Sequence, residues 1–274
     1  MRLSEASAYW SQQISHKSWC TSVQWEHFDY FRLLVLAMAF AWGRRTVTNL
    51  SLDLEASPHR TRCNNFVLVQ RWDPEAALRQ KAGERLRALP PKPGETRYWV
   101  LDDSKKAKRG KRMDAVAKMK DSTTDADIRG HQDVCGLLVF RQPVLPVGLR
   151  LYVKQTHCTA LGLPFRKTTE LAAHLIRECK PPAGVKVVVV FDAYYLCHTV
   201  VKACREQQFH FASTLKSHRR LFKQGWKLKA GRYGRHLCRR RRTDTLVLAK
   251  PYGQVRDRFM DAGWIEVSNL ARCT

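Results

Sequence analysis

Two aspartates carry the clearest chemical suggestion in this sequence. Asp102 follows the run Tyr98-Trp99-Val100-Leu101, and Asp192 closes the apolar run Val185–Phe191, 90 residues later (192 − 102). A short apolar run ending in a carboxylate reads as a strand that delivers the acid to the carboxyl edge of a sheet. Two such edges side by side can hold hard divalent cations, here Mg²⁺ or Mn²⁺, because carboxylate oxygens are their natural ligands. Paired ions about 3.5–4 Å apart can activate water and stabilise the leaving oxygen of a phosphodiester. Acidic residues at strand ends also start turns constantly, so neither aspartate means much alone. Asp103 competes with Asp102, but in an extended strand Asp102 and Ser104 share one side, which favours Asp102.

The elements that must place these residues follow from the change of hydrophobic period along the chain. Phe31, Leu34, Val35 and Met38 recur at helical intervals, and Ala76–Leu89 is a second helical stretch started by Asp73-Pro74. Residues 1–90 therefore read as a small helical domain, closed by Pro90-Pro91-Lys92-Pro93-Gly94. Residues 95–220 read as a second, α/β unit. A strand ends at Asp102-Asp103, Val134–Phe140 and Leu145–Val153 form a hairpin, and Thr168–Cys179 is a helix. Val185–Phe191 has almost no alternation, as expected of a strand covered on both faces. A helix over His198–Gln207 and a strand over Phe209–Leu215 follow. The order is three strands, helix, strand, helix, strand. Residues 104–133 are expected to be a flexible exposed connection, and residues 221–274 a partial β-rich insertion.

Charge narrows the partner. Lys and Arg number 49 against 24 acidic residues, a net charge of +25. Such an excess favours a polyanion, since each neutralised phosphate releases counterions, and double-stranded DNA is the first expectation. The most apolar stretch, Phe31–Trp42, contains Arg32 and is far shorter than the roughly 20 residues a bilayer requires. A cytoplasmic protein with no membrane partner is expected. The nine cysteines include no C-x-x-C pair, which disfavours zinc and disulfide scaffolds.

At the two aspartate blocks the chain resembles a known family. Tyr98-Trp99-Val100-Leu101-Asp102-Asp103-Ser104 with Lys108-Arg109-Gly110-Lys111 is similar to the first catalytic block of bacterial insertion-sequence DDE transposases. Val188-Val189-Val190-Phe191-Asp192-Ala193-Tyr194-Tyr195 resembles the second block, and Phe211-Ala212-Ser213-Thr214-Leu215-Lys216-Ser217-His218-Arg219 the strand that follows it. The helical front fits through Gly43-Arg44-Arg45-Thr46-Val47 and Arg71-Trp72-Asp73-Pro74. The resemblance implies an α/β, ribonuclease-H-like mixed sheet core, the catalytic core over residues 95–220, behind an all-helical DNA-binding domain over residues 1–90. It also implies metal-dependent cleavage and strand transfer at transposon ends, a nucleoid-associated prokaryotic setting and a homodimer on DNA. Asp102 and Asp192 become the catalytic and metal-binding pair. Lys108, Arg109, Lys111, Lys216, Arg219 and Arg239, Arg240, Arg241 and Arg242 become DNA contacts; Arg60, Arg62 and Arg71 are further candidates on the helical domain.

Family members carry a third acidic ligand, a glutamate on a helix after the β-rich insertion. Glu266, in Gly263-Trp264-Ile265-Glu266-Val267, reads instead as part of a strand, and Glu206 lies on the helix directly after the second block. The expectation is a truncated transposase of impaired activity. Two other readings compete: a non-catalytic DNA-binding remnant, and a host ribonuclease-H-like nuclease.

Overall fold

The computed structural model describes residues 28–40, 46–52, 60–69, 73–110, 113–121, 125–141, 144–223, 226–232, 245–249, 255–259 and 266–267. Contacts divide the chain into two compact units, one running to Pro90 with Pro146–Gly148, the other comprising Pro91–Leu145 and Leu149 onward. In the first, helices α1 (Phe28–Phe40), α2 (Val47–Leu52) and α3 (Arg60–Val69) converge on one core. Phe28, Phe31, Leu34 and Ala37 of α1 meet Leu50, Cys63 and Phe66 there. Three-residue steps put Ala37 on that stripe, whereas Met38, expected on it, is 45% exposed. Thr46 caps α2 by accepting from Asn49 N through Oγ1 at 3.3 Å. Helix α4 (Pro74–Ala88) starts as its sequence implies, with Asp73 Oδ1 accepting from Glu75 N and Ala76 N and Pro74 in the first turn.

The chain from Pro91 onward carries a six-stranded mixed sheet. Its strands are β1 (Thr96–Ala107), β2 (Ala117–Lys120), β3 (Asp127–Val139), β4 (Val144–Tyr152), β5 (Lys186–Phe191) and β6 (His210–Ser213). The order is β2-β3-β1-β5-β6, with β4 also pairing with β3. Strand β1 is antiparallel to β3 and parallel to β5, and β5 is parallel to β6. Helices α5 (Gln155–Leu161), α6 (Thr168–Glu178) and α7 (His198–Glu206) complete the unit, α6 packing on α7 and on β3. The residues beyond form β7 (Arg220–Lys223), β8 (Trp226–Lys229), β9 (Thr245–Ala249), β10 (Val255–Phe259) and β11 (Glu266–Val267), in sheets of two and three strands.

Three expectations need correction. Strand β1 does not end at the aspartates; it runs five residues past Asp102 to Ala107, still paired with β3. The stretch 104–133 is accordingly no loose connection but an arm made of the end of β1, β2 and the start of β3. Its lysines and aspartates masked the strand signal, because an arm covered on one side needs few apolar residues. Helix α5 was missed for its brevity; it ends on Gly162, whose φ of 64° suits the left-handed cap. Strand β5 does alternate: Val187, Val189 and Phe191 are buried while Val188 and Val190 are half-buried. One face of the sheet is therefore closed and the other partly open among the described residues.

At the foot of β1, Arg97 is fully buried. Its Nε donates to Glu95 Oε1 at 2.7 Å and its guanidinium lies 4.2 Å from the Phe140 ring centre, while Arg141 pairs with the same carboxylate. The Arg97 hydrogen bond is the main cause that holds the Glu95 carboxyl down to about 2 from the usual 4.5. A depressed carboxylate stabilises the fold above its unfolded pKa, and that contribution disappears as pH falls through the folded one. Wild type should therefore lose stability between about pH 4.5 and 2 by a route that Glu95→Gln lacks, and Glu95→Gln should be the less stable at pH 7. Denaturant titrations of both proteins at several pH values test this; parallel pH profiles would refute it.

Candidate active site

The parallel register of β1 and β5 brings the two aspartates together. Leu101 pairs with Phe191, so Asp102 and Asp192 each stand one residue beyond the last paired position. Neighbouring strands lie about 4.8 Å apart. Alternation puts both side chains on the partly open face, in line with Val100 and Val190, and both are exposed. Their geometry is set by backbone amides. Asp102 Oδ1 accepts from Asp103 N at 2.8 Å; Asp192 Oδ1 accepts from Tyr194 N at 3.0 Å and Tyr195 N at 3.3 Å. The Oδ2 atom of each aspartate has no hydrogen bond among the described residues.

Asp103 is turned to the closed face. Its Oδ2 accepts from Gln132 Nε2 at 2.7 Å, two positions along from its cross-strand partner Val134. Beside it is Tyr195, fully buried, whose hydroxyl has no partner. Burial, then the nearby charge of Asp103, pushes that phenol far above its usual range.

Sequence reasoning overlooked a third acid on the open face. Asp133 pairs with Ser104, two positions along from the Asp102–Cys135 pair. Burial raises its carboxyl pKa, opposed by His131, Lys108 and Lys106. Cys135 is raised too, first by burial and then by Asp133 and Asp102. The signal available was parity: once β3 is extended back to Asp127, residues 133 and 135 fall on one side. Among the described residues no group of three or more His, Cys, Asp or Glu side chains is close enough to hold a metal.

The other candidates are dispersed. Glu206 closes α7 and pairs with Arg177 at 2.7 Å, which lowers its pKa. Glu266 lies in β11 opposite Phe222. Lys216 and Arg219 follow β6 beyond the edge where β5 ends, joined by Arg219 N to Lys216 O. Lys108 continues the β1 ladder through a bond to Arg129 O, and Arg109 is exposed. Lys111, Arg239, Arg240, Arg241 and Arg242, with Arg44, Arg45 and Arg71, lie outside the described residues. No helix of the described residues is long and apolar enough to cross a membrane.

A mixed sheet in this order, with parallel strands delivering two aspartates to one edge, is the ribonuclease-H-like fold of DDE enzymes. A family model described as DDE superfamily endonuclease matches residues 24–262, and the chain belongs to that family. No curated protein matches it significantly. The family is one of endonucleases, whose substrate is DNA and which generally use divalent metal ions.

The isolated Tyr195 hydroxyl makes a clean stability test. An unpaired buried hydroxyl carries its desolvation cost without return, about 1–3 kcal/mol. Tyr195→Phe should therefore melt at the same temperature as wild type or higher; a markedly lower midpoint would mean the hydroxyl is bonded after all.

Proposed function

We propose that this chain is a transposase-type endonuclease that cleaves the phosphodiester at transposon ends, with Asp102 and Asp192 as its catalytic carboxylates. The observation that carries the reading is the Leu101–Phe191 register, which leaves two aspartates abreast on one open face. Their donor set fits a hard divalent ion, Mg²⁺ or Mn²⁺: each keeps one carboxylate oxygen outside its amide bonds. Held by Asp102 and Asp192, such an ion would supply polarisation of the scissile phosphate and a lowered pKa for the attacking water. The protein's own part is to hold both acids rigidly by backbone amides, so that little reorganisation is needed when DNA binds.

Lys216 and Arg219, beyond the β6 edge, are suited to the phosphates near the cleaved bond, and Lys108 and Arg109 to those along the arm. Lys111 and Arg239–Arg242 belong to the same proposed contact set. After cleavage, the freed 3′ hydroxyl would attack target DNA in a second in-line displacement at the same pair.

Two carboxylates hold one ion well and a second poorly, so cleavage should be weak. Duplex carrying transposon ends should be nicked slowly in Mg²⁺, and Asp102→Asn or Asp192→Asn should abolish nicking while duplex binding survives. Asp103→Asn should retain most activity, because its side chain is on the other face. Nicking that survives Asp102→Asn would sink the assignment. Salt-sensitive binding without any wild-type nicking would favour DNA binding alone.

A further inference from the structure

The arm beyond the aspartate pair has two unlike sides. Lys106 pairs with His131, Ala107 with Gly130 and Lys118 with Arg129. Alternation therefore puts Ser104, Lys106, Arg129, His131, Lys118 and Lys120 on the side of Asp102. The opposite side carries Ala117 and Gly130, both buried, and Ile128 and Met119, both half-buried. Register is locked there: a Cβ at Gly130 would lie 2.1 Å from Lys106 O, and Lys105 Nζ reaches across to Lys120 O at 3.0 Å.

Gly110 and Asp114, between β1 and β2, are held over β3 on the Asp102 side. Arg129 Nη1 donates to Gly110 O at 3.0 Å, and His131 Nε2 bonds Asp114 O at 2.9 Å. Both side chains belong to the open face, so they tie the segment carrying Lys108 and Arg109 over the same surface as the aspartates. The counter-charges are weakly held. Lys118 pairs with Asp127 at 2.8 Å and Lys120 with Asp125 at 2.7 Å, but all four side chains are more than half exposed. Exposed pairs of this kind yield readily to a phosphate.

We infer that this face is a platform for the DNA backbone flanking the cleaved bond, in which Lys106, Lys118 and Lys120 contact phosphates. Arg129 is a positioning residue that holds the Lys108–Arg109 segment in place. The inference rests on the DNA-cleaving reading above. Four strand residues separate Lys106 from Asp102, about 13 Å. That is close to the roughly 12 Å width of the B-DNA major groove. A duplex with one phosphate at the aspartate pair thus brings backbone within reach of the platform.

The test is duplex binding by the full chain without divalent metal, using a duplex of roughly 30 base pairs, titrated over a range of salt concentrations. Each phosphate contact contributes about 0.9 to the slope of log affinity against log salt. The triple variant Lys106→Gln, Lys118→Gln, Lys120→Gln should lose about two units or more of slope and more than about tenfold in affinity at 0.1 M salt. Lys180→Gln, at the far end of α6, should match wild type. Arg129→Gln should cost more slope than Lys106→Gln alone, because it also releases Lys108 and Arg109; an equal or smaller cost overturns its positioning role. Melting curves check that the variants fold, and Lys106→Gln, a single exposed change, stands in if the triple variant does not. Wild-type slope and affinity in a folded variant would overturn the platform while leaving cleavage at Asp102 and Asp192 untouched. Wild type that binds no duplex at low salt would overturn both.

Discussion

Everything at the open face depends on the parallel ladder between β1 and β5. Its register pairs Leu101 with Phe191, and a slip of one residue would send either aspartate to the opposite face. Several contacts resist such a slip. Lys186 N donates to Glu95 O at 3.1 Å as the ladder begins. Arg97, buried opposite Val187, is fixed by Glu95 and Phe140, which holds the foot of β1 in place against β3. The Trp99 ring lies over Gly136, where a Cβ would come within 3.2 Å of the indole nitrogen. Charge and shape near the foot of β1 thus hold the strand that carries Asp102 five residues beyond Arg97.

Much of this core was legible because its signals are local. Val185–Phe191 ending in acid and the Asp73-Pro74 helix start each follow from short-range chemistry, and each is where it was expected. The arm was not legible. Lys105, Lys106, Lys118, Asp125 and Asp127 look like a solvated linker because the composition of a strand with one wet face is half polar, and here the dry side is made of small residues such as Ala117 and Gly130. The same blindness hid Asp133. Its place opposite Ser104 depends on pairing with a strand some 30 residues away, information that no local window contains.

The two faces also divide the electrostatics. On the closed side burial is the first cause of the large upward shifts: the Cys204 thiol is pushed up to about 12 and the Tyr195 phenol higher still. These groups stay neutral, which suits a packed interior where charge is costly. On the open side the acids are solvated or flanked by cations, with Lys106, Lys108 and His131 opposing the effect of burial on Asp133. A polyanion approaching this side meets carboxylates ringed by lysine and arginine, which offset the repulsion between phosphate and Asp102, Asp133 and Asp192.

Asp102 and Asp103 show how far one step along a strand separates identical side chains. Asp103 spends its carboxylate on Gln132, next to the buried Tyr195 ring, and its amide on Asp102 Oδ1. Asp102 spends one oxygen on that amide and leaves the other toward the open face. Tyr195 stands in the same relation to Asp192, giving its amide to Oδ1 while its ring fills the closed side near Asp103. Both acids of the pair are therefore oriented by main chain whose own side chains are anchored on the opposite face. A substitution that disturbs packing around Asp103 or Tyr195 can tilt the Asp102 and Asp192 carboxylates without touching them, because the sheet transmits a displacement on one face directly to the other.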